Sequence, residues 1–271
     1  MMRPSQRQVP GLFPRRTAGP MSSRGDAMRI ASAVLLTLLL PLVIAGQDPR
    51  SAAVSGNLQY DGRFAFTRIR YGSGWNSWRG GSWAHDYPRA DLHLPRILDE
   101  LTNMRPRLEG SNVYDLDDPE IFLNPVIYIS EPGFWTIADS EAANLRTYLL
   151  KGGFVIFDDF EGPQQWDNMR GQMARALPDH IFMEIDVRHP IFHSFFEMKT
   201  IDFPHPVVNV TPSYYAMFEG NDPSRRMIAL ANYNNDLAEY WEWSATGMFP
   251  VHFTNEAYKL GVNYIVYAMT H

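Results

Sequence analysis

The chain has 271 residues, 45% of them hydrophobic and 20% charged, which suits a globular protein of one large domain or two small ones. It has no cysteine, which excludes disulfides, thiolate metal sites, cysteine nucleophiles and cysteine-linked lipid anchors. The formal charge is −6, but residues 1–29 hold six arginines against Asp26 alone, so the remainder carries −11 and repels phosphate backbones; nucleic acid is not an expected partner.

The first element is a leader. Ile30 to Ile44 reads IASAVLLTLLLPLVI, apolar throughout and preceded by Arg29. Val43-Ile44-Ala45 then supplies residues that a signal peptidase accepts, so residues 1–46 read as a basic segment plus a signal peptide cleaved after Ala45. The alternative is an uncleaved anchor over residues 29–46. A spanning helix takes about 20 apolar residues, and this run is shorter and contains Pro41. Prolines and glycines before Met28 break every periodic pattern, and Met21 and Met28 are alternative starts to Met1. Either form of the leader places the rest of the chain in the periplasm, or outside the cell, free or tethered to the inner membrane.

Residues 47–63 are small and polar, as a linker is. FAFTRIRY (64–71) is rich in strand formers and opens the exported domain, residues 64–271. A loop rich in glycine and tryptophan follows, GSGWNSWRGGSW (72–83). Asp86 then precedes a helix with Leu94, Ile97, Leu98 and Leu101 on its core face, closed by Asn103 and Pro106. PVIYIS (125–130) is a short apolar run that reads as a strand buried on both faces. Asp139 or Ser140 caps the next helix, which buries Leu145, Tyr148 and Leu149 and stops at Gly152-Gly153. FVIFDDF (154–160) is a second buried strand, so strand, helix and strand form a βαβ unit with parallel pairing. Trp166 to Ala176 is a further helix, and IFMEID (181–186) and MIALANY (227–233) are further strands. Asn255 to Met269 makes a terminal helix with Thr254 as its N-cap. The domain is therefore of the α/β class.

Four places carry candidate chemistry. Ligands of open parallel sheets bind beyond the carboxyl ends of the strands. There the second strand of the βαβ unit ends in Asp158, Asp159 and Glu161, three carboxyls that repel one another unless a divalent cation, an arginine or a basic substrate group neutralises them. The competing reading makes Asp158 a cap for the next segment and leaves the others solvated. His189 and His193 stand four apart, the spacing of metal-ligand histidines on a helix, but Pro190 disfavours a helix there and a loop role competes. Trp75, Trp78 and Trp83 either stack on a sugar or a partner's apolar surface, or pack over the sheet edge. NYNNDLAEYWEW (232–243), with Asp236, Glu239 and Glu242, lines a polar pocket or is an ordinary anchored loop. No Gly-x-Ser-x-Gly elbow or P-loop is present, and Gly72-Ser73-Gly74 lacks the third glycine of a dinucleotide fingerprint.

Together FAFTRIRY, HDYPRADLHLPRILDELTNM (85–104), LRTYLLKGGFVIFDDFEG (145–162), HPIFH (189–193) and KLGVNYIVYAMTH (259–271) resemble the family called domain of unknown function 4159. The resemblance implies a mostly parallel, flavodoxin-like sheet with helices on both faces, similar to class I glutamine amidotransferases. Those enzymes carry a cysteine nucleophile on a tight turn after a strand. Here Phe160, Glu161, Gly162 and Pro163 follow Asp159, so the fold carries over and the amidotransferase chemistry does not. Some family members are joined to membrane segments or adhesion-type domains, which suits the cell envelope.

The reading that follows is a non-enzymatic periplasmic binding or scaffold protein, with no catalytic residue assigned, docked on a protein partner such as a membrane complex. One alternative is a metal-assisted hydrolase of a glycan or ester, with Asp158, Asp159 and Glu161 near a divalent metal and a histidine as base. Another is a carbohydrate-binding module that uses Trp75, Trp78 and Trp83. No cofactor is expected beyond a divalent metal.

Overall fold

A computed structural model describes residues 56–73 and 83–271. The leader, most of the linker, Trp75 and Trp78 lie outside the described residues.

The described residues form a mixed α/β fold around a seven-stranded sheet. In chain order the sheet strands are β1 (Thr67–Ile69), β3 (Asn112–Tyr114), β4 (Val126–Ser130), β6 (Phe154–Phe160), β7 (Met183–Ile185), β8 (Ser213–Phe218) and β9 (Met227–Tyr233). Two short strands, β2 (Gly72–Ser73) and β5 (Trp135–Thr136), pair separately. The helices are α1 (Arg89–Leu101), α2 (Asp139–Leu150), α3 (Gly162–Ala176), α4 (Leu237–Glu242) and α5 (Val251–Thr270). Across the sheet the order is β3-β1-β4-β6-β9-β8-β7. Neighbours from β3 through β9 pair in parallel, while β8 and β7 add an antiparallel edge. The expected βαβ unit is β4-α2-β6, with Val126 opposite Phe154 and Ser130 opposite Asp158.

Two cores follow from the two-residue period of a strand. Val126, Tyr128, Phe154 and Ile156 point to one face, where α1, α4 and α5 supply Leu94, Leu98, Trp241, Leu260 and Ile265. Ile127, Ile129, Val155 and Phe157 point to the other, where α2 and α3 supply Leu145, Leu149, Met169 and Met173. Central strands buried on both faces are apolar along most of their length, which is why β4, β6 and β9 read as hydrophobic runs that turn polar only toward their carboxyl ends. At the far edge Asn57 bonds both ways to Val113 of β3, through Val113 N at 2.8 Å and Val113 O at 2.9 Å, and so covers an otherwise open strand. Among the described residues no helix is long and apolar enough to cross a membrane.

Candidate functional site

The carboxyl ends of β4 and β6 meet the loop before α1, and a buried arginine holds that loop. Arg68 on β1 is fully buried and pairs with Asp91 of α1, Nη2 to Oδ1 at 2.6 Å. Its Nη1 donates to the carbonyls of Trp83 (2.9 Å) and His85 (2.8 Å). Asp91 thus ties α1 to β1, while the loop carbonyls are pinned so that His85 and Asp86 lie over the strand ends. Asp86 has a left-handed backbone, φ 62°, and its carbonyl accepts from Ala90 N at 3.0 Å. Glu131 after β4 (φ 47°) and Asp159 near the end of β6 (φ 61°) are left-handed too. Such residues are uncommon outside glycine, and three of them here mark a locally strained site. At Asp159 the left-handed turn coincides with a register shift between Phe157 and Phe160. That shift breaks the alternation that would otherwise send Asp158 and Asp159 to opposite faces.

The two neighbouring aspartates have different surroundings. Asp158 is fully buried and well supplied with donors. Its Oδ2 accepts from Tyr128 Oη (2.8 Å), Leu237 N (2.9 Å) and Ala238 N (3.2 Å), and its Oδ1 accepts from Asn232 Nδ2 (2.9 Å). It ties β6 to the start of α4. Burial raises its pKa, and these hydrogen bonds oppose the rise. Asp159 Oδ2 lies 2.7 Å from His85 Nδ1 and 3.3 Å from Ser130 Oγ. The hydrogen bond to Asp159 pushes the His85 pKa up, against the effect of burial. The His85 side chain is still 46% exposed.

Asp86 is the anomaly. Its side chain is fully buried, yet among the described residues neither carboxylate oxygen meets an N–H or hydroxyl donor; His85 Nδ1 stands 3.7 Å from Oδ2. Burial first, then the charge of Asp159, raises its pKa, and a contact with the Glu239 carboxyl, favourable only with a proton present, acts in the same direction. Asp236, also buried, accepts from Glu239 N at 2.9 Å as the N-cap of α4. Its pKa is raised by burial and then by the charges of Asp159, Asp86 and Asp158. His205 is a second buried group with an unmet atom. Its Nδ1 accepts from Val207 N (3.1 Å) and Val208 N (3.3 Å), which leaves the proton on Nε2, and Nε2 has no partner among the described residues. Burial lowers its pKa while the charge of Asp159 acts in the opposite direction.

His85, Asp86 and Asp159 offer three ligand atoms within 4.8 Å of one another, and so do Asp86, Glu239 and Glu242. Ligand atoms about 2.1 Å from one ion stand roughly 3–4 Å apart. The 3.7 Å between His85 Nδ1 and Asp86 Oδ2 is of that size, while the 2.7 Å between His85 Nδ1 and Asp159 Oδ2 is a hydrogen bond that an ion would open and replace. Two carboxylates and an imidazole suit a divalent cation, and a buried carboxylate without a donor is what such an ion would satisfy.

Of the residues singled out from the sequence, Asp158, Asp159 and Asp236 come together here. Glu161 lies beside them: its carboxylate accepts from Gln165 Nε2 at 3.0 Å, and burial followed by the charge of Asp159 raises its pKa. His189 packs against Phe218 and Tyr267, and its Nδ1 accepts from Ile191 N at 3.2 Å. His193 engages Glu197 at 2.8 Å and the Val187 carbonyl at 2.6 Å. Neither joins a three-residue metal-ligand group among the described residues. Trp83 is fully buried with its ring 5.8 Å from Tyr87, so its indole is not presented to solvent. The sequence reading did not single out His85, Asp86 or His205 as site residues. The adjacent His85-Asp86 pair just before a helix was the available signal for the first two; nothing in the sequence marks His205.

The resembling segments converge at this site: Arg68 from the first, His85, Asp86 and Asp91 from the second, Asp158 and Asp159 from the third. No curated protein matches the chain. A family model described as a domain of unknown function, DUF4159, matches residues 65–269, from the first strand to the end of the last helix, and the chain belongs to that family.

Proposed function

We propose that this domain is a binding module of the cell envelope whose working centre is a divalent cation held by His85, Asp86 and Asp159. The observation that carries the reading is Asp86, a buried carboxylate with no donor beside a second carboxylate and a histidine. Leaving such a charge unmet is costly, and a cation repays that cost when it binds. The position supports the same reading. Numbered among themselves in chain order, the parallel strands stand 2-1-3-4-5, the flavodoxin-like doubly wound order. In that order ligands bind outside the carboxyl ends where the strand order reverses, between β1 and β4, and the site lies beside that point, over the ends of β4 and β6. An ion with three protein ligands keeps open positions, which a carboxylate or hydroxyl oxygen of a protein or glycan partner would fill. The leader and the acidic domain suit an envelope location.

A second reading, a metal-assisted hydrolase of an ester or glycan, is favoured by one feature. The Asp159–His85 pair has the geometry of a carboxylate orienting a general base, with the imidazole partly open to solvent. Thermal unfolding of the full chain with Mg²⁺, Ca²⁺, Mn²⁺ and Zn²⁺ tests the cation reading. At least one ion should raise Tm in the parent and not in Asp159→Asn. Indifference to all four would remove the proposal. Turnover of aryl esters or aryl glycosides that requires the same ion and His85 would move the assignment to the hydrolase.

A further inference from the structure

The proposed cation leaves one contact unexplained. Asp86 also meets Glu239, and two carboxyls in contact need something positive between them. One divalent ion balances Asp86 and Asp159. It does nothing for Glu239 and Glu242, which approach Asp86 from α4. Among the described residues Glu242 pairs with Arg89, Nη1 to Oε1 at 3.3 Å, and that arginine is 52% exposed with its guanidinium 4.9 Å from the Trp243 ring centre. A pair whose arginine is that open to solvent contributes little and yields to an ion.

We infer that the site is dinuclear: a second divalent cation binds Asp86, Glu239 and Glu242, with Asp86 bridging it to the ion at His85 and Asp159. This rests on the cation reading above and deepens it. Three features support the arrangement. Asp86 belongs to both groups of ligand atoms, each of which closes to within 4.8 Å. Both of its oxygens are buried and, among the described residues, neither meets an N–H or hydroxyl donor, so one is available to each ion. The N-terminal half of α4 is fixed by Asp236 on Glu239 N and by Asp158 on Leu237 N and Ala238 N, which holds the Glu239 backbone in place beside the loop. Carboxylate-bridged pairs of this kind place their ions about 3.5–4 Å apart and bind the oxygens of one ligand between them.

Equilibrium dialysis of the purified full chain against Mn²⁺, with metal analysis of the protein, reads the stoichiometry directly. Two Mn²⁺ per chain are expected in the parent, and one in Glu242→Gln and in Glu239→Gln. Electron paramagnetic resonance gives a readout that does not depend on a variant folding. The loaded parent should show an exchange-coupled pair, and Glu242→Gln the six lines of an isolated Mn²⁺. One Mn²⁺ per parent chain, uncoupled and unaffected by either substitution, would overturn the second site and leave the first standing, with a proton joining Asp86 to Glu239. No bound Mn²⁺ would overturn both.

Discussion

Arg68 uses its guanidinium entirely inside the protein, on Asp91 and on the carbonyls of Trp83 and His85. Its charge is met only by that arrangement, so removing the partner is worse than never having had the pair. Asp91→Asn should therefore cost about 3–5 kcal/mol in urea unfolding, and it should loosen His85 and Asp86 as well. Asp158→Ala leaves four donors around one vacated carboxylate, and a loss of about 3 kcal/mol or more is expected on the same measurement. Asp86 should behave the other way. Asp86→Asn replaces a carboxyl whose charged form no N–H donor meets with an amide that can donate to Glu239, so metal-free Asp86→Asn should melt no lower than the parent. The Asp158-Asp159 pair was legible because two acids at the end of an apolar strand are out of place. His85 and Asp86 were less so, because their positions depend on a tertiary pairing between Arg68 and Asp91 and on a left-handed residue that no local pattern announces.

The elements divide by how they are buried. The long, doubly buried strands β4, β6 and β9 were plain in the sequence, with β6 spanning Phe154–Phe160 as read. Strand β8 was not read, because its burial alternates at one end and is continuous at the other, and it pairs antiparallel with β9 after a long irregular stretch. The helix expected from Asn255 begins at Val251 instead, so Thr254 lies inside it and Pro250 takes the N-cap position. Likewise α2 is capped at Ala138, whose N donates to Glu141 Oε2 at 2.6 Å, rather than at Asp139 or Ser140. Within α5, Gly261 allows close approach to α1 and α4. A Cβ there would stand 2.8 Å from Trp241 and 2.9 Å from Leu94. Gly261→Ala gains about 1 kcal/mol of helix propensity against an overpacking cost of about 1–3 kcal/mol. The expected outcome is a lower Tm with the strand-end site intact, and a rise in Tm would show that the side chains give way freely.

For the whole molecule, the buried acids set the response to pH. Asp86, Asp158 and Asp236 have raised pKa values, burial being the leading cause in each, and His85 is raised by its bond to Asp159. In each case the folded form holds its proton to higher pH than the unfolded chain does. The resulting stability is complete below the ordinary pKa of each group and is lost as pH rises through the folded value. The metal-free protein should therefore lose Tm steadily from the mildly acidic range to alkaline pH. A divalent ion replaces the protons of Asp86 and His85, so its affinity should rise over the same range and the slope of Tm with pH should flatten in its presence.

The most direct test of a cation centre at the carboxyl edge is Mn²⁺ binding to the full chain and to Asp86→Asn, followed with the melting temperature of each metal-free protein. The account predicts that the parent binds Mn²⁺, that Asp86→Asn loses that binding, and that metal-free Asp86→Asn melts at or above the parent. Undiminished binding in Asp86→Asn, or a parent that binds no Mn²⁺ while Asp86→Asn melts well below it, would contradict the account and return Asp86 to a structural role.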